Sequence, residues 1–412
     1  MQYVLLFVAV ALGVATAGAQ ELSLEEALRQ ADAHSPRLMA QRHAVAAAEQ
    51  QTTRAGELPD PRFKLGLENL PVTGPDRFRY GVDSMTAGVV GLAQEFPNAA
   101  KREARTLRAE RLREVEGAGL LASRAALHRE VAAAWLEVHF SALARQALER
   151  LAQRIAEQSE AAPSAIARGR QSPAEALMLR QAREDVNDRL IEQERVLAKG
   201  RIALATLIGE HAKRPLAPPP DTAALPQPAD VLLGKVAEQP QLRVLERREA
   251  LARAEVDMAR SERRTDWMLE VEYGQRRPYF DNMLSVMVSF PLSLRRGERQ
   301  DRDIAARLAE VEQARAMQEE ARRAREAEVL GWIADFDTAA RRVGRYEKVL
   351  LPLARERSAA AQAAYRGGRG ELGAVLEAER SIAEAEMGLV QAVIERAKAW
   401  TSLAFLFGRE GS

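Results

Sequence analysis

The chain of 412 residues contains no cysteine. That absence excludes a disulfide framework, a thiolate metal site, a cysteine nucleophile and a lipid anchor on an N-terminal cysteine. Basic and acidic residues balance at 60 and 59, a net charge of +1, so no overall field draws in nucleic acid. Aromatics are scarce at 5%, and the 18 prolines are bunched, which leaves long stretches open to uninterrupted helix. Beyond the N-terminal segment no apolar run reaches the roughly 18 residues of a membrane-crossing helix. If the mature chain enters a membrane, strands must do the crossing. His34, His43, His128, His139 and His211 lack metal-ligand spacing and no HExxH occurs, so the zinc-hydrolase pattern is missing. The ten methionines form no clustered soft-metal motif along the chain. With no nucleophile, base and oxyanion set to assemble, the expectation is a non-enzyme without cofactor or resident metal.

The residues that are present organise the chain. Val4–Val14 is apolar and Ala17-Gly18-Ala19 is a small-x-small site, so residues 1–19 read as a removed export signal, although the usual early Lys or Arg is missing. Ser23-Leu24-Glu25-Glu26 is a capping box opening a helix to about Arg54. Phe63, Leu65 and Leu67 then alternate with polar or small residues, as in a strand with two unlike faces. A second strand is expected from about Val82 to Phe96, stopped by Pro97. From the N-cap Asn98 a helix of about 68 residues, roughly 100 Å at 1.5 Å per residue, is expected. A capping box at Ser172-Pro173-Ala174-Glu175 opens another, ending near Gly209.

The pattern then repeats. Leu28, Ala33, Pro36 and Leu38 recur as Leu232, Ala237, Pro240 and Leu242, and the same offset of 204 carries Phe63–Glu68 onto Trp267–Glu272. At offset 199, Gly169-Arg170 and Leu177 become Gly368-Arg369 and Leu376. The organisation expected is repeat 1 over 20–214, a proline-rich connector over 215–228 and repeat 2 over 229–412, each repeat a helix, a hairpin, a very long helix and a helix. Pro352 should kink the second long helix. In each half the two shorter helices sum to the length of the long one, so stacking them end to end gives a helical tube tipped by β-structure.

Four strands cannot close a membrane barrel, which needs about 8. Other copies must supply the rest: a dimer makes 8 and a trimer 12, and the larger ring leaves a wide lumen. Phe63, Leu65, Leu67, Trp267, Leu269, Val271, Leu284, Val286 and Val288 form the expected lipid face, with Lys64, Glu68, Glu270 and Glu272 in the lumen. Phe78, Tyr80, Tyr273, Tyr279 and Phe280 fall where an aromatic girdle belongs. The alternative is a hairpin packed on a helix face, in a soluble secreted or periplasmic helical-bundle scaffold.

Three segments carry a family resemblance: Leu24-Glu25-Glu26-Ala27-Leu28 with Ser35-Pro36-Arg37-Leu38, then Leu58-Pro59-Asp60-Pro61, then Tyr365, Gly368 and Val375-Leu376-Glu377-Ala378. With them the chain resembles the TolC family of outer-membrane channel proteins. The resemblance implies a mainly α fold with a small β part, a homotrimer with a 12-stranded barrel of four strands per protomer, and a long periplasmic α-helical barrel. It implies a passive outer-membrane duct, partnered by a periplasmic adaptor and an inner-membrane pump of the resistance-nodulation-division type. Gln94-Glu95-Phe96-Pro97 with Lys101-Arg102-Glu103-Ala104-Arg105 is most similar to the heavy-metal branch, implying metal cations as cargo. The turns Arg168, Gly169, Arg170, Gln171, Ser172 and Tyr365, Arg366, Gly367, Gly368, Arg369, Gly370, Glu371 would form the periplasmic tip and dock the adaptor; glycines that merely permit tight turns are the plainer reading. Two departures stand out: the family's tip arginine aligns with Gly370, and no first mature cysteine exists for a lipid.

Overall fold

The computed structural model describes residues 21–80, 82–167, 172–276 and 280–407. The expected signal segment 1–19 lies outside the described residues. The elements are α1 (Leu24–His34), α2 (Pro36–Ala55), β1 (Arg62–Glu68), β2 (Ala87–Phe96), α3 (Ala99–Ala167), α4 (Pro173–Ile208), α5 (Ala229–Gly234), α6 (Pro240–Ser261), β3 (Trp267–Gln275), β4 (Met283–Ser289), α7 (Gln300–Arg345), α8 (Leu351–Arg366) and α9 (Leu372–Ala404). The chain is mainly helical with one small sheet, as the composition implies.

Several boundaries differ from expectation for local reasons. The first helix is two: Ser35 is extended at φ −67°, ψ 117°, because Pro36 bars its predecessor from helical geometry. Gln239 before Pro240 is extended in the same way at φ −61°, ψ 137°, so the second half breaks at the matching place. Ser23 caps α1 by accepting from the Glu26 N–H, but the reciprocal half of the box is absent. The Glu26 carboxylate instead pairs with Arg214 at 2.6 Å and 3.2 Å. The second strand begins at Ala87 rather than Val82, since Asp83 Oδ1 accepts from the Met85 N–H and holds a turn there. Around Pro352 the helix continues as expected, and a π-helical turn at Tyr346–Leu350 directly precedes it, an irregularity of the kind that bends helices. α3, 69 residues long, runs through Pro163.

The described chain forms two compact units, and each draws on both halves of the sequence. One comprises residues up to Ser35, Ala126–Leu232 and Val329–Leu406. Its core holds Leu22, Trp135, Leu136, Leu204, Ile208, Leu232 and Leu403, all fully buried. Here the proline-rich connector is structural: Leu216 bridges to Leu22 in parallel, and the buried Trp135 indole donates to the Leu22 carbonyl at 3.1 Å. His128 contacts Asp32 at 2.9 Å, and His139 stacks on Trp135 with its pKa lowered by burial. Those histidines are packing residues.

The other unit comprises Pro36–Ala125 and Leu233–Glu328 with Phe407. It holds the sheet. Its helices expose long polar faces, and inter-helix ion pairs recur along them: Glu255 bridges Arg108 and Arg307 at 3.2 Å and 3.0 Å, and Glu249 holds Arg315 at 2.7 Å. The hydrogen bond from Arg315, and next that from Arg253, hold the Glu249 carboxyl below its ordinary range despite the opposing effect of burial.

Candidate functional site

The sheet is antiparallel in the order β1-β2-β3-β4. Lys64 lies opposite Gly91, Gly91 opposite Glu272 and Glu272 opposite Ser285. Opposed residues share a face, so this register fixes every side. Phe63, Leu65, Leu67, Trp267, Leu269, Val271, Leu284, Val286 and Val288 all fall on one face, joined by Val90 and Leu92 of β2. Lys64, Glu68, Glu270 and Glu272 fall on the other, with Arg62 and Glu95. The apolar face is bare to solvent: Leu65 is 78% exposed and Leu284 69%. Among the described residues no further strand pairs with the outer edges of β1 and β4.

On the charged face Lys64 of β1 reaches across β2 to Glu270 and Glu272 of β3, the second at 3.3 Å. The crossing passes over Gly91. A Cβ there would lie 2.6 Å from Glu272 Cγ, so a side chain at this position would displace the bridge. Sequence reading placed these charges on one face but gave no sign that they form one cluster spanning three strands.

Both ends of the sheet are pinned. At the helix end Asn98 donates its backbone N–H and its amide to Asp266 Oδ1, each at 2.8 Å, and Lys101 reaches Asp266 Oδ2 at 2.9 Å. Burial opposes ionisation of Asp266, but the bonds from Lys101 and Asn98 outweigh it and hold the carboxyl below its usual range. Gln94 donates to the Pro59 carbonyl at 2.8 Å, tying the Leu58–Pro61 entry to β2, and Phe96 stacks on Trp267 at 4.2 Å. At the loop end Tyr80 donates to the Gln275 carbonyl at 3.2 Å and Asn282 donates to the Tyr273 hydroxyl at 2.6 Å. Phe78 and Phe280 sit there under Arg77 and Arg276. Tyr279 lies outside the described residues.

The second candidate region is the turn from α8 to α9. The Gly368 N–H donates to the Tyr365 carbonyl and the Arg369 N–H to the Ala364 carbonyl, both at 3.0 Å, with Gly368 at φ +71°. This is a Schellman closure, which needs a left-handed residue after the cap. Arg366, Gly367, Gly368, Arg369 and Glu371 are exposed. Gly370 is different: a Cβ there would lie 2.9 Å from the Tyr365 nitrogen, so no arginine fits at 370 in this turn. Tyr365 packs against the Leu179–Leu372 cluster, bringing the first turns of α4 and α9 together. Burial, and then the charge of Glu175, raise its hydroxyl pKa. The capping box at Ser172 forms in full, at 3.2 Å and 2.7 Å. Arg168, Gly169, Arg170 and Gln171 lie outside the described residues.

Two turns above the Tyr365–Glu371 loop is a buried polar knot that sequence reading missed. Glu379 is 3% exposed; its Oε1 accepts from Ser358 at 2.7 Å and from Gln362 at 2.8 Å. Its Oε2 faces Arg154 at 3.1 Å. The knot ties α8, α9 and α3. Its only sequence signal is a lone acid on the otherwise apolar face of α9.

Residues 235–409 match the family described as outer membrane efflux protein. No curated protein matches the chain. Among solved structures, the outer membrane protein VceC of Vibrio cholerae is 18% identical, with 94% of this chain and 97% of that one covered and a TM-score of 0.73. CusC, studied for conformational changes accompanying folding and transmembrane channel formation, is 15% identical, with 93% and 92% covered and a TM-score of 0.79. The open state of the MtrE outer membrane channel of Neisseria gonorrhoeae is 19% identical, with 93% and 89% covered and a TM-score of 0.65. The fold is that of these outer-membrane proteins. Among the described residues no helix is long and apolar enough to cross a membrane.

Proposed function

We propose that this chain is a TolC-family outer-membrane factor and the passive exit duct of a tripartite efflux system, a reading supported by its match over residues 235–409 and by its fold. The observation that carries the reading is the sheet: one face largely apolar and largely exposed, the other charged, and both outer edges open. A solvated edge invites pairing and a bare apolar face invites lipid. Three copies joined edge to edge answer both, as a 12-stranded barrel with charges inward. The two repeats of helix, hairpin, long helix and helix then continue as a helical barrel in the periplasm.

In this reading the turns at Arg168–Ser172 and Tyr365–Glu371 ring the periplasmic mouth, and their arginines hold carboxylates of an adaptor. An inner-membrane pump of the resistance-nodulation-division type supplies the energy. The similarity of Gln94–Pro97 and Lys101–Arg105 to the heavy-metal branch supports metal cations as cargo. The test is extraction from the outer-membrane fraction followed by sizing in detergent and conductance in a planar bilayer. A detergent-dependent trimer that conducts ions is expected. A water-soluble, non-conducting monomer would return the chain to the helical-scaffold alternative.

A further inference from the structure

We infer that the loop between β1 and β2 recognises lipid: Arg77 and Arg79 hold the phosphate of an anionic lipid headgroup, and Phe78 between them enters the apolar layer beside it. The inference rests on reading the apolar face of the sheet as the lipid face of a duct, and it names a ligand class for one end of that face. Arg77-Phe78-Arg79-Tyr80 alternates cation and aromatic ring, and all four residues are exposed. Phe78 is 61% exposed and sits at φ +56°, a left-handed torsion that bulky residues avoid. Its N–H donates to the Pro71 carbonyl at 2.7 Å, and the Arg79 N–H donates to the Asp76 carbonyl at 3.1 Å, which fixes the loop in that form. Packing within the chain does not explain a strained torsion that leaves the ring in solvent, whereas a contact outside the chain does.

Tyr80 decides on which side of the sheet the run lies. Its hydroxyl donates to the Gln275 carbonyl at 3.2 Å, and a Cβ on Gly88 would meet that hydroxyl oxygen at 3.3 Å and Leu67 Cδ2 at 3.9 Å. Gly88 lies opposite Leu67, so Tyr80 crosses onto the apolar face and ties the run to its rim, at the end away from the helices. In a duct whose helices enter the periplasm, that rim meets the headgroups of the outer leaflet. Among the described residues no carboxylate pairs with Arg77 or Arg79, and the Arg77 guanidinium lies 5.1 Å above the Phe78 ring. Arg276 at the same end differs: it donates to the carbonyls of Asp281 and Ser84 at 2.6 Å and 3.1 Å, which holds the two loops together. Between Val72 and Tyr80 Asp76 is the sole acid, leaving a net charge of +1. An open guanidinium fork matches a phosphate. A dissolved phosphate would meet the same forks, but it gives Phe78 nothing to enter; a lipid offers both the charge and the apolar layer, as interfacial aromatic residues require.

The test uses the full-length protein in detergent, mixed with a bisphosphorylated glucosamine lipid of the lipid A kind or with the same lipid stripped of its phosphates, and bound lipid is counted by native mass spectrometry. The parent is expected to retain severalfold more of the phosphorylated lipid. Arg77→Gln with Arg79→Gln should lower its retention to that of the stripped lipid. Phe78→Gly should lower retention of both lipids while raising the melting temperature, because glycine adopts the left-handed torsion freely. Equal retention of the two lipids by the parent overturns the proposal, as does parent-like retention in the double arginine variant. Displacement by inorganic phosphate together with parent-like binding in Phe78→Gly would mark a free-anion site, and it too overturns the lipid assignment. Sizing and conductance of the parent report on the duct separately. A conducting trimer with no preference between the lipids removes only the lipid contact, whereas a water-soluble, non-conducting monomer removes the duct and this inference together.

Discussion

At the residue scale the most constrained position on the sheet is Gly91. Its missing side chain lets Lys64 span β2, and Gly91→Val should break the contact with Glu272, seen as a lower melting temperature of the detergent-solubilised protein. The period-2 pattern showed Lys64 and both glutamates on one side; that a glycine lies between them required the register. Glu379 is a second case. Glu379→Ala leaves Ser358 and Gln362 without their acceptor and should cost about 1–3 kcal/mol, toward the upper end because the Arg154 Nε that faces the carboxylate is itself buried; chemical denaturation measures it. Glu26 sets a pH dependence. The hydrogen bond from Arg214 holds its carboxyl below the ordinary 4.5, so its contribution is complete above that pH and fades as the pH falls through the lowered folded-state value. Glu26→Gln should therefore be less stable than the parent at pH 7, with the gap closing as the pH drops below 4.5.

At the element scale, strands were easier to assign by face than by end. Alternation identified the nine apolar-face residues because the side-chain period of a strand is 2 whatever the partner. The start of β2 was misplaced because the turn held by Asp83 overrides apolar neighbours. Helices split at Ser35 and Gln239 although apolar spacing continues across the break, since the proline that follows acts on backbone torsion rather than on pattern. Around Pro352, by contrast, the helix runs on, with a π turn just before it. Faces make the sharpest element-level prediction. Leu269→Lys should impair assembly into membranes far more than Glu270→Lys, by about 2–4 kcal/mol if the residue sits at mid-bilayer; equal membrane yields in a fractionation experiment would reverse the assignment. Ser172→Ala should weaken the start of α4 by about 1 kcal/mol, readable as faster amide exchange in its first turn.

For the whole molecule, the consequence of the proposed duct is that its ends are separable. Deleting Tyr365–Glu371 should abolish crosslinking to an adaptor while trimers persist, because the sheet proposed to join the copies lies in the other compact unit. Retained crosslinking would remove the docking role. The sequence by itself determined the helical class, the repeated element order, the two faces of the strands and the glycine turn at 367–370, since each depends on local torsion or on a short period. Only the tertiary structure decided that the connector clamps Leu22 beside Trp135, that Gly370 has no room for an arginine, that Glu379 is buried among three helices, and that Tyr80 crosses onto the apolar face beside Gly88. Those facts depend on which strand or helix lies alongside which, and residues many positions apart meet only through that pairing.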